Sequence, residues 1–283
     1  MSNNTLLMGA VAYDAKVVPI WEGFKTFFED NGLPFDFILY SNYERQVEAH
    51  FAGHFHVAWN SPLAWLQAER IAAKVGRSCK AVAMRDTDMD LTSLIVVAEG
   101  SGIDSIEDLR GKTVAVGADD SPQGTLIPLE HLRAAGLQPG KDFEIQRHDL
   151  LVGKHGDHIG GERDAVKSLL AGNAAAACMI DGNHAAFTKE GTIPAGSTKV
   201  LAQTGLYDHC NFTVLDGAPE EQITRFTELL LGMSYDDPKL RPLLDMEGLK
   251  QWKEGRTSGY KLLDDALNAF GTVDAFVDAV AAS

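Results

Sequence analysis

Strand-length apolar runs alternate with helical patterns along most of the chain, and this alternation limits the possible folds more than any other feature of the sequence. The run from Leu6 to Ala12 contains only small and apolar residues, as in a strand buried on both faces. The apolar residues between Pro19 and Asn31 recur instead at helical spacing, and Asn31-Gly32 ends that helix. Strands that alternate with helices predict an α/β fold with mostly parallel sheets flanked by helices.

The alternation falls into two blocks, which indicates two lobes rather than one. The chain has 283 residues, and a domain typically takes about 100 to 200. Strand-like segments near 84–98 and 200–215 connect the blocks and predict a two-strand hinge. We therefore expect a first lobe of 1–88 plus 207–283, completed by a helical tail, and an inserted second lobe of 89–206.

Charge and hydropathy exclude several classes of partner. The 25 Lys and Arg residues against 40 Asp and Glu residues give a formal charge of -15, so the chain lacks the basic surface that nucleic acid requires. Its apolar runs are far shorter than the roughly 20 residues that span a bilayer. We expect a globular protein that binds neither nucleic acid nor membrane.

The N-terminus and the cysteines give weaker indications about location. No basic region precedes an apolar segment and a cleavage site, so the sequence as it stands predicts a cytoplasmic protein, or a periplasmic or extracellular one whose signal has been removed. Three cysteines without CxxC spacing indicate neither a disulfide framework nor a zinc ribbon. No cofactor is predicted.

A series of short motifs resembles the phosphate, phosphite and phosphonate substrate-binding proteins of ABC importers, which have the type 2 periplasmic-binding-protein fold. The resemblance covers most of the chain. The motifs are the segments 42–53, 57–64, 105–114, 121–128 and 163–172, and the strand that ends in Asp181. This resemblance implies a monomer that closes two lobes on a small anionic or zwitterionic ligand, with an ABC permease as partner.

The segment Ser121-Pro122-Gln123-Gly124-Thr125 stands where such proteins receive the acidic group of the ligand. A helix start independently offers unpaired N–H groups and a positive dipole end, so it can bind an oxyanion without a lysine. We expect the N–H groups of 123–125 and the hydroxyls of Ser121 and Thr125 to act as donors. The alternative is that Ser121 only caps its helix, with Pro122 at the first helical position.

Other candidate ligand contacts follow predicted strands. Asn60 and Ser61 come after the third strand, although Ser61 before a proline is also a good helix cap. Tyr13 follows the first strand, and Asp181 is placed by the resemblance near the amine or hydroxyl of a ligand. Members of the family commonly carry a histidine before the Asp-Ala of the 163–172 motif, whereas this chain has Glu162-Arg163 there. A phosphonate, a carboxylate or a larger zwitterion therefore remain alternative ligands, and Arg163 is a further candidate contact.

The segment Tyr207-Asp208-His209-Cys210 is predicted to lie where the chain passes back between the lobes, which makes His209 a candidate ligand contact. His155, His158, His209 and Cys210 offer zinc-type ligands, but their spacing matches no established metal motif, so no metal centre is expected. Adjacent residues of a strand point to opposite faces, which argues against a nucleophile formed by Cys210 and His209.

Two functions from different classes fit these patterns. The first is a substrate-binding protein that closes on its ligand for an importer. The alternative is a cytoplasmic enzyme on the same fold, acting in the synthesis of a cofactor precursor with metal held by histidine and cysteine residues. A fold does not by itself decide between them.

Overall fold

The computed structural model describes residues 5–157 and 159–283. These residues divide into two compact units, of which the first takes the described residues up to Met89 together with Asp208–Tyr260 and Thr272–Ser283. The second takes Asp90–Tyr207 and Lys261–Gly271. The division predicted from the sequence assigns the whole of 207–283 to the first lobe, whereas the contacts of 261–271 place that segment in the second unit. The hinge between lobes stays a prediction.

Each unit is built around one β-sheet with helices packed against it. The strands, in chain order, are β1 (Leu6–Val11), β2 (Phe35–Tyr40), β3 (Val57–Asn60), β4 (Cys79–Arg85), β5 (Ser93–Ala98), β6 (Thr113–Val116), β7 (Glu144–Arg147), β8 (Ala176–Ile180), β9 (Thr198–Gln203), β10 (Asn211–Leu215) and β11 (Trp252–Glu254). The helices are α1 (Val17–Asp30), α2 (Tyr43–Phe51), α3 (Pro62–Lys74), α4 (Ile127–Ala134), α5 (Gly160–Leu170), α6 (Asp181–Glu190), α7 (Glu220–Leu231), α8 (Arg241–Glu247), α9 (Lys261–Phe270) and α10 (Asp274–Ala281). The predicted α/β class is confirmed.

Both sheets are mixed, which corrects the expectation of mostly parallel sheets. The first sheet has the order β11-β4-β10-β3-β1-β2, and β10 runs antiparallel to both of its neighbours. The second has the order β7-β6-β8-β5-β9, and β5 is antiparallel to both of its neighbours. A parallel pair needs a crossover connection, usually a helix. Strands β5 and β10 instead each follow a point where the chain passes from one unit to the other, at Met89–Asp90 and at Tyr207–Asp208.

The core of the first unit is largely aromatic. Phe24 and Phe28 lie four residues apart on the buried face of α1, as the helical spacing predicts. The Phe28 ring lies 4.9 Å from that of Phe226 on α7 and 4.7 Å from that of Phe35 on β2. These contacts hold the two helices against one face of the sheet.

The second unit is covered on both faces of its sheet. One apolar cluster joins β5, β6 and β8 to α4, and the other joins the same strands to α5 and to Phe187 of α6. The buried residues Leu263 and Leu267 lie on α9, which packs against α4. No described helix combines the length and the apolar character needed to cross a lipid bilayer.

Strand direction determines where polar side chains collect in each unit. In the second sheet the carboxyl ends of β6, β7 and β8 share one edge with the amino end of β5. In the first sheet the carboxyl ends of β1, β2 and β3 share an edge with the amino end of β10. Ligands of α/β proteins bind outside the carboxyl ends of parallel strands, so these are the edges on which to look for a site.

Candidate functional site

A helical turn begins immediately after the loop that follows β6. Ser121 caps it, since its Oγ accepts the N–H of Gly124 at 3.1 Å, and Pro122 occupies the first helical position. The turn, Pro122–Leu126, has π-helical hydrogen bonds and continues directly into α4. Short π-helical turns within α-helices are frequent at functional sites.

Two of the N–H donors predicted for this turn are already used. The N–H of Thr125 donates to the carbonyl of Ser121 at 3.1 Å, and that of Gly124 donates to the Ser121 hydroxyl. The Thr125 hydroxyl, by contrast, is buried and has no hydrogen-bond partner among the described residues. Buried polar groups are nearly always hydrogen-bonded, so this hydroxyl is the strongest indication of an external ligand at the turn.

The loop around Gly156 packs directly on the turn. The Gln123 amide donates to the Gly156 carbonyl at 2.7 Å. Gly156 has a φ of 73°, and a Cβ built on it would lie 2.3 Å from Ser121 Oγ, so only glycine allows this close approach. The neighbouring His155 is fully buried. The contacts of Ser121 and Gln123 with this loop explain why both side chains are buried.

A hydroxyl pair connects the turn to the amino end of β5. Ser93 donates to the Gln123 carbonyl at 2.7 Å, and its Oγ lies 2.8 Å from the Tyr207 hydroxyl. Burial raises the pKa of Tyr207 above its ordinary value, and the charges of Glu162 and Asp181 add to this effect. Tyr207 therefore stays a phenol and donates to Ser93. Ser93 was not predicted from the sequence, although a serine that opens an otherwise apolar strand is a signal that could have identified it.

Two carboxylates lie at the carboxyl end of β8. Glu162, on α5, is 2% exposed, and its Oε2 accepts the N–H of Ile180 at 3.0 Å and the side-chain amide of Asn183 at 2.8 Å. Asp181 accepts the hydroxyl of Thr92 at 2.9 Å and begins α6. Asp181 therefore has a helix-terminal position, and its contact with a ligand stays a prediction.

Arg163 contacts residues of the second unit away from the turn. Its guanidinium stacks on the Phe187 ring at 4.4 Å, forms an ion pair with Glu190 and donates to the Thr192 hydroxyl at 2.9 Å. The positive charge of Arg163 is therefore paired with Glu190 and does not face the Ser121–Thr125 turn through any of these contacts. A ligand contact for Arg163 therefore depends on breaking an existing ion pair.

The candidates of the first unit are engaged in internal hydrogen bonds. Asn60 accepts from the Gln46 amide at 2.7 Å and donates to the Thr213 hydroxyl at 2.9 Å. Ser61 is fully buried and accepts the N–H of Ala64 at 3.1 Å, as expected for the helix cap of α3. Tyr13 is half-buried, and the Lys16 ammonium lies 5.6 Å from its ring.

His209 and Cys210 contact each other, contrary to the argument that they point to opposite faces. The Nδ1 of His209 lies 3.1 Å from Cys210 Sγ. Both residues precede β10, so strand alternation does not apply to them. The same Nδ1 lies 3.6 Å from Asp88 Oδ1. Because one nitrogen faces both the thiol and the carboxylate, the three side chains do not form a proton relay of the nucleophile-base-acid kind.

Among the described residues, Asp88, His209 and Cys210 form a buried group whose spacing could suit a metal ion. One ligand atom from each lies within 4.8 Å of the others. Both Asp88 oxygens, however, accept hydrogen bonds from Arg85, at 2.5 and 2.8 Å. A divalent cation there would have to displace the guanidinium or lie beside it, and both are costly. Of the other metal candidates, His155 belongs to the second unit and His158 lies outside the described residues.

Comparisons with known proteins agree with this architecture. PhnD1 from Prochlorococcus marinus, solved with methylphosphonate, is 17% identical with a TM-score of 0.70 over 95% of this chain and 98% of its own. A Xanthomonas citri protein bound to ATP is 15% identical with a TM-score of 0.69 over 98% of both chains. The binding component of a Pseudomonas aeruginosa phosphonate transporter is 14% identical with a TM-score of 0.62 over 98% and 96%. At these identities the likeness shows the fold.

The match to a family model goes further than the shared fold. The model of the periplasmic substrate-binding proteins of phosphonate ABC transporters matches residues 12–260. This match confirms the resemblance found in the sequence motifs, and it supports the substrate-binding interpretation rather than the enzyme alternative. Since it spans most of the 283 residues, the chain belongs to the family of phosphonate ABC-transporter periplasmic substrate-binding proteins.

Proposed function

We propose that this protein binds a small anionic or zwitterionic solute of the phosphonate class and holds its acidic group at the Ser121–Thr125 turn. The observation that carries the proposal is the Thr125 hydroxyl, which is 1% exposed and lacks a described partner. It lies at the positive end of α4, at the edge of the sheet where ligands of such folds bind.

The charge of the chain makes a local donor necessary. A formal charge of -15 disfavours anions at long range, so attraction has to come from oriented groups near the ligand. A hydroxyl that donates to an ionised oxygen forms a charge-assisted bond, which is shorter and stronger than a neutral one. Since the Thr125 hydroxyl forms no described bond, a ligand oxygen can accept from it without breaking an existing one.

The bound molecules of the structural relatives support the same ligand chemistry. The Prochlorococcus protein was solved with methylphosphonate, and the Xanthomonas protein with ATP. Both molecules carry oxygens on phosphorus. A screen of 2-aminoethylphosphonate, methylphosphonate, inorganic phosphate, ethanesulfonate and acetate by thermal shift covers this class and its neighbours. A ligand at 100 times its dissociation constant stabilises the native state by about 2.7 kcal/mol.

Replacing Thr125 by valine should weaken binding by about tenfold or more, because hydrogen bonds to charged groups contribute about 1.5 to 3 kcal/mol. Valine keeps the shape and removes the donor. Since the hydroxyl has no partner among the described residues, its removal should change the melting temperature measured without ligand only a little. Calorimetry with the best phosphonate from the screen measures the loss.

Thr188→Val is the matched control, since Thr188 is an exposed threonine of the same unit. It should leave affinity unchanged. If Thr125→Val binds every probe as tightly as the unmodified chain, the acidic group is held elsewhere and Ser121–Thr125 is only a helix cap.

We further propose that the protein works outside the cytoplasm as a monomer, closing its two units on the ligand before an ABC permease receives it. The family description, which names periplasmic proteins of ABC transporters, supports this proposal. Small-angle X-ray scattering should give the monomer mass of 30.6 kDa and a smaller radius of gyration on addition of phosphonate. A dimer mass, or no compaction at saturating ligand, would contradict it.

A further inference from the structure

The Thr125 hydroxyl is enclosed as well as unpartnered, since the residue is 1% exposed and the hydroxyl has no partner among the described residues. A ligand oxygen can therefore reach it only if a neighbouring segment moves aside. Residues 149–157, which follow β7 and are called the strap below, lie directly on the turn in the second unit. A Cβ built on Gly156 of the strap would lie 2.3 Å from Ser121 Oγ and 2.8 Å from Gln123 Nε2, so the strap covers this side of the turn.

Hydrogen bonds attach the strap to the turn and to the loop that precedes it. Besides the bond from the Gln123 amide, the Gly153 N–H donates to Asp120 Oδ2 at 2.5 Å. At the start of the strap, Asp149 Oδ1 accepts the N–H of Asp119 at 2.8 Å. Bonds of this kind can be exchanged for bonds to water, so each contributes only modestly to the stability of the closed form. They hold the strap on the turn without preventing it from opening.

Three consecutive aliphatic side chains of the strap face solvent. Leu150, Leu151 and Val152 are 47%, 48% and 57% exposed, whereas His155 and Gly156 are buried on the inner side. Segments that bury few apolar side chains open at a lower free-energy cost than the core of the same domain. The strap can therefore open while the rest of the second unit stays folded.

The backbone of the strap is strained. Leu151 has a φ of 54° and His155 a φ of 51°, in the left-handed region that bulky side chains disfavour. Among residues 5–157 and 159–283, these are two of the three non-glycine residues with a positive φ. Strained residues of this kind cluster at active sites, ligand clamps and switch regions. Opening the strap would relieve this strain, so the closed form is balanced between strain and hydrogen bonds.

We propose that the strap is a gate, which covers the Ser121–Thr125 turn and has to open before the acidic group of a ligand can reach Thr125. This inference rests on the proposed function, because it takes that group to be bound at Thr125. The bonds from Gly153 to Asp120 and from Gln123 hold the gate closed, and the strain at Leu151 favours its opening. The gate therefore determines how fast a ligand binds and leaves, rather than how tightly it is held.

Cleavage by trypsin after Lys154 measures the opening of the gate without any ligand, because a protease can cut the strap only when it leaves the turn. Replacing Asp120 by alanine removes the acceptor of the Gly153 N–H, so this cut should become about tenfold or more faster. Leu151→Gly relieves the strain of the positive φ, so the cut should become about threefold or more slower. Mass spectrometry of the fragment 1–154 gives both rates.

Asp164→Ala and Val152→Gly are the matched controls. Asp164 belongs to an exposed ion pair on α5, so its replacement should leave the rate of the cut unchanged. Val152 is the neighbour of Leu151 but does not have a positive φ, so glycine relieves no strain there and should not slow the cut. If Asp120→Ala is cut no faster than Asp164→Ala, or Leu151→Gly no more slowly than the unmodified chain, the gate is overturned.

The kinetics of methylphosphonate binding provide the second measurement. In stopped-flow experiments, Asp120→Ala should raise the association and dissociation rate constants together by about tenfold, with less than about a threefold change in the dissociation constant. A weaker affinity with an unchanged association rate would mean that Asp120 only supports the turn, and would overturn the gate alone. If Thr125→Val binds methylphosphonate as tightly as the unmodified chain, the proposed site is overturned instead, whatever the rates of cleavage after Lys154.

Discussion

Replacing Arg85 by methionine should lower the free energy of unfolding by about 3 to 5 kcal/mol, the largest loss that we expect from a single substitution in this chain. Arg85 donates to both oxygens of Asp88, and its Nη1 lies 3.2 Å from Glu247 Oε1. Asp88 and Glu247 are buried, so methionine would leave two carboxylates without their cation. Urea denaturation at neutral pH measures the change.

The pKa of Asp88 shows the strength of this pair. Burial alone would raise it, but the charge and hydrogen bonds of Arg85, assisted by His209, lower it to about 2. The matched control is Arg45→Met, because Arg45 pairs with Glu48 on the exposed face of α2 and such pairs contribute about 1 kcal/mol or less. A loss in Arg85→Met no larger than that of the control would show that the buried carboxylates are solvated or protonated at little cost.

Acidification from pH 7 to pH 4.5 should remove about 2 to 3 kcal/mol of stability through His50 alone. His50 is 4% exposed and stacks on the Phe55 ring at 4.7 Å. Burial lowers its pKa from 6.5 to about 4, with smaller effects from Arg77 and His56. Because the unfolded chain takes up this proton first, stability is lost as the pH falls from about 6.5 towards 4, and none is lost above that range.

His50→Phe isolates this effect from the titration of the many carboxylates. Phenylalanine retains a flat ring beside Phe55 and cannot be protonated, so the variant should lose about 2 to 3 kcal/mol less than the unmodified chain between pH 7 and 4.5. His54→Gln is the control, since His54 is exposed in the turn that follows α2. Parallel stability curves for the unmodified chain and His50→Phe would show that His50 is not the group that titrates.

Local signals in the sequence were sufficient for elements with clear ends. Strand β1 and helix α1 lie where their patterns predict, and α1 ends before Asn31-Gly32 as expected. Strands β4 and β11 were not recognised as such. Strand β11 has only three residues, Trp252-Lys253-Glu254, and pairs with β4, about 170 positions earlier in the chain. The local pattern of apolar residues cannot indicate so distant a pairing.

In the candidate site, too, local features were predicted correctly and contacts between distant residues were not. The cap formed by Ser121 and the proline after it are local features, and the sequence located them correctly. The contact between Glu162 and Gly124 joins residues 38 positions apart, and that between Ser93 and Gln123 joins residues 30 apart. Such contacts depend on how strands are ordered in the sheet. They can be read only once β6, β8 and β5 are known to be neighbours.

The position of α9 also bears on how the protein is made. The chain leaves the first unit after Tyr260, supplies α9 to the second, and returns at Thr272 so that α10 can pack against α3. Both units thus draw on the last 23 residues for part of their cores. Domains synthesised on the ribosome usually fold in order from the N-terminus. Here neither unit can complete its core until residues 261–283 have been synthesised, and a messenger truncated before residue 261 would yield two unfinished units rather than one folded and one missing.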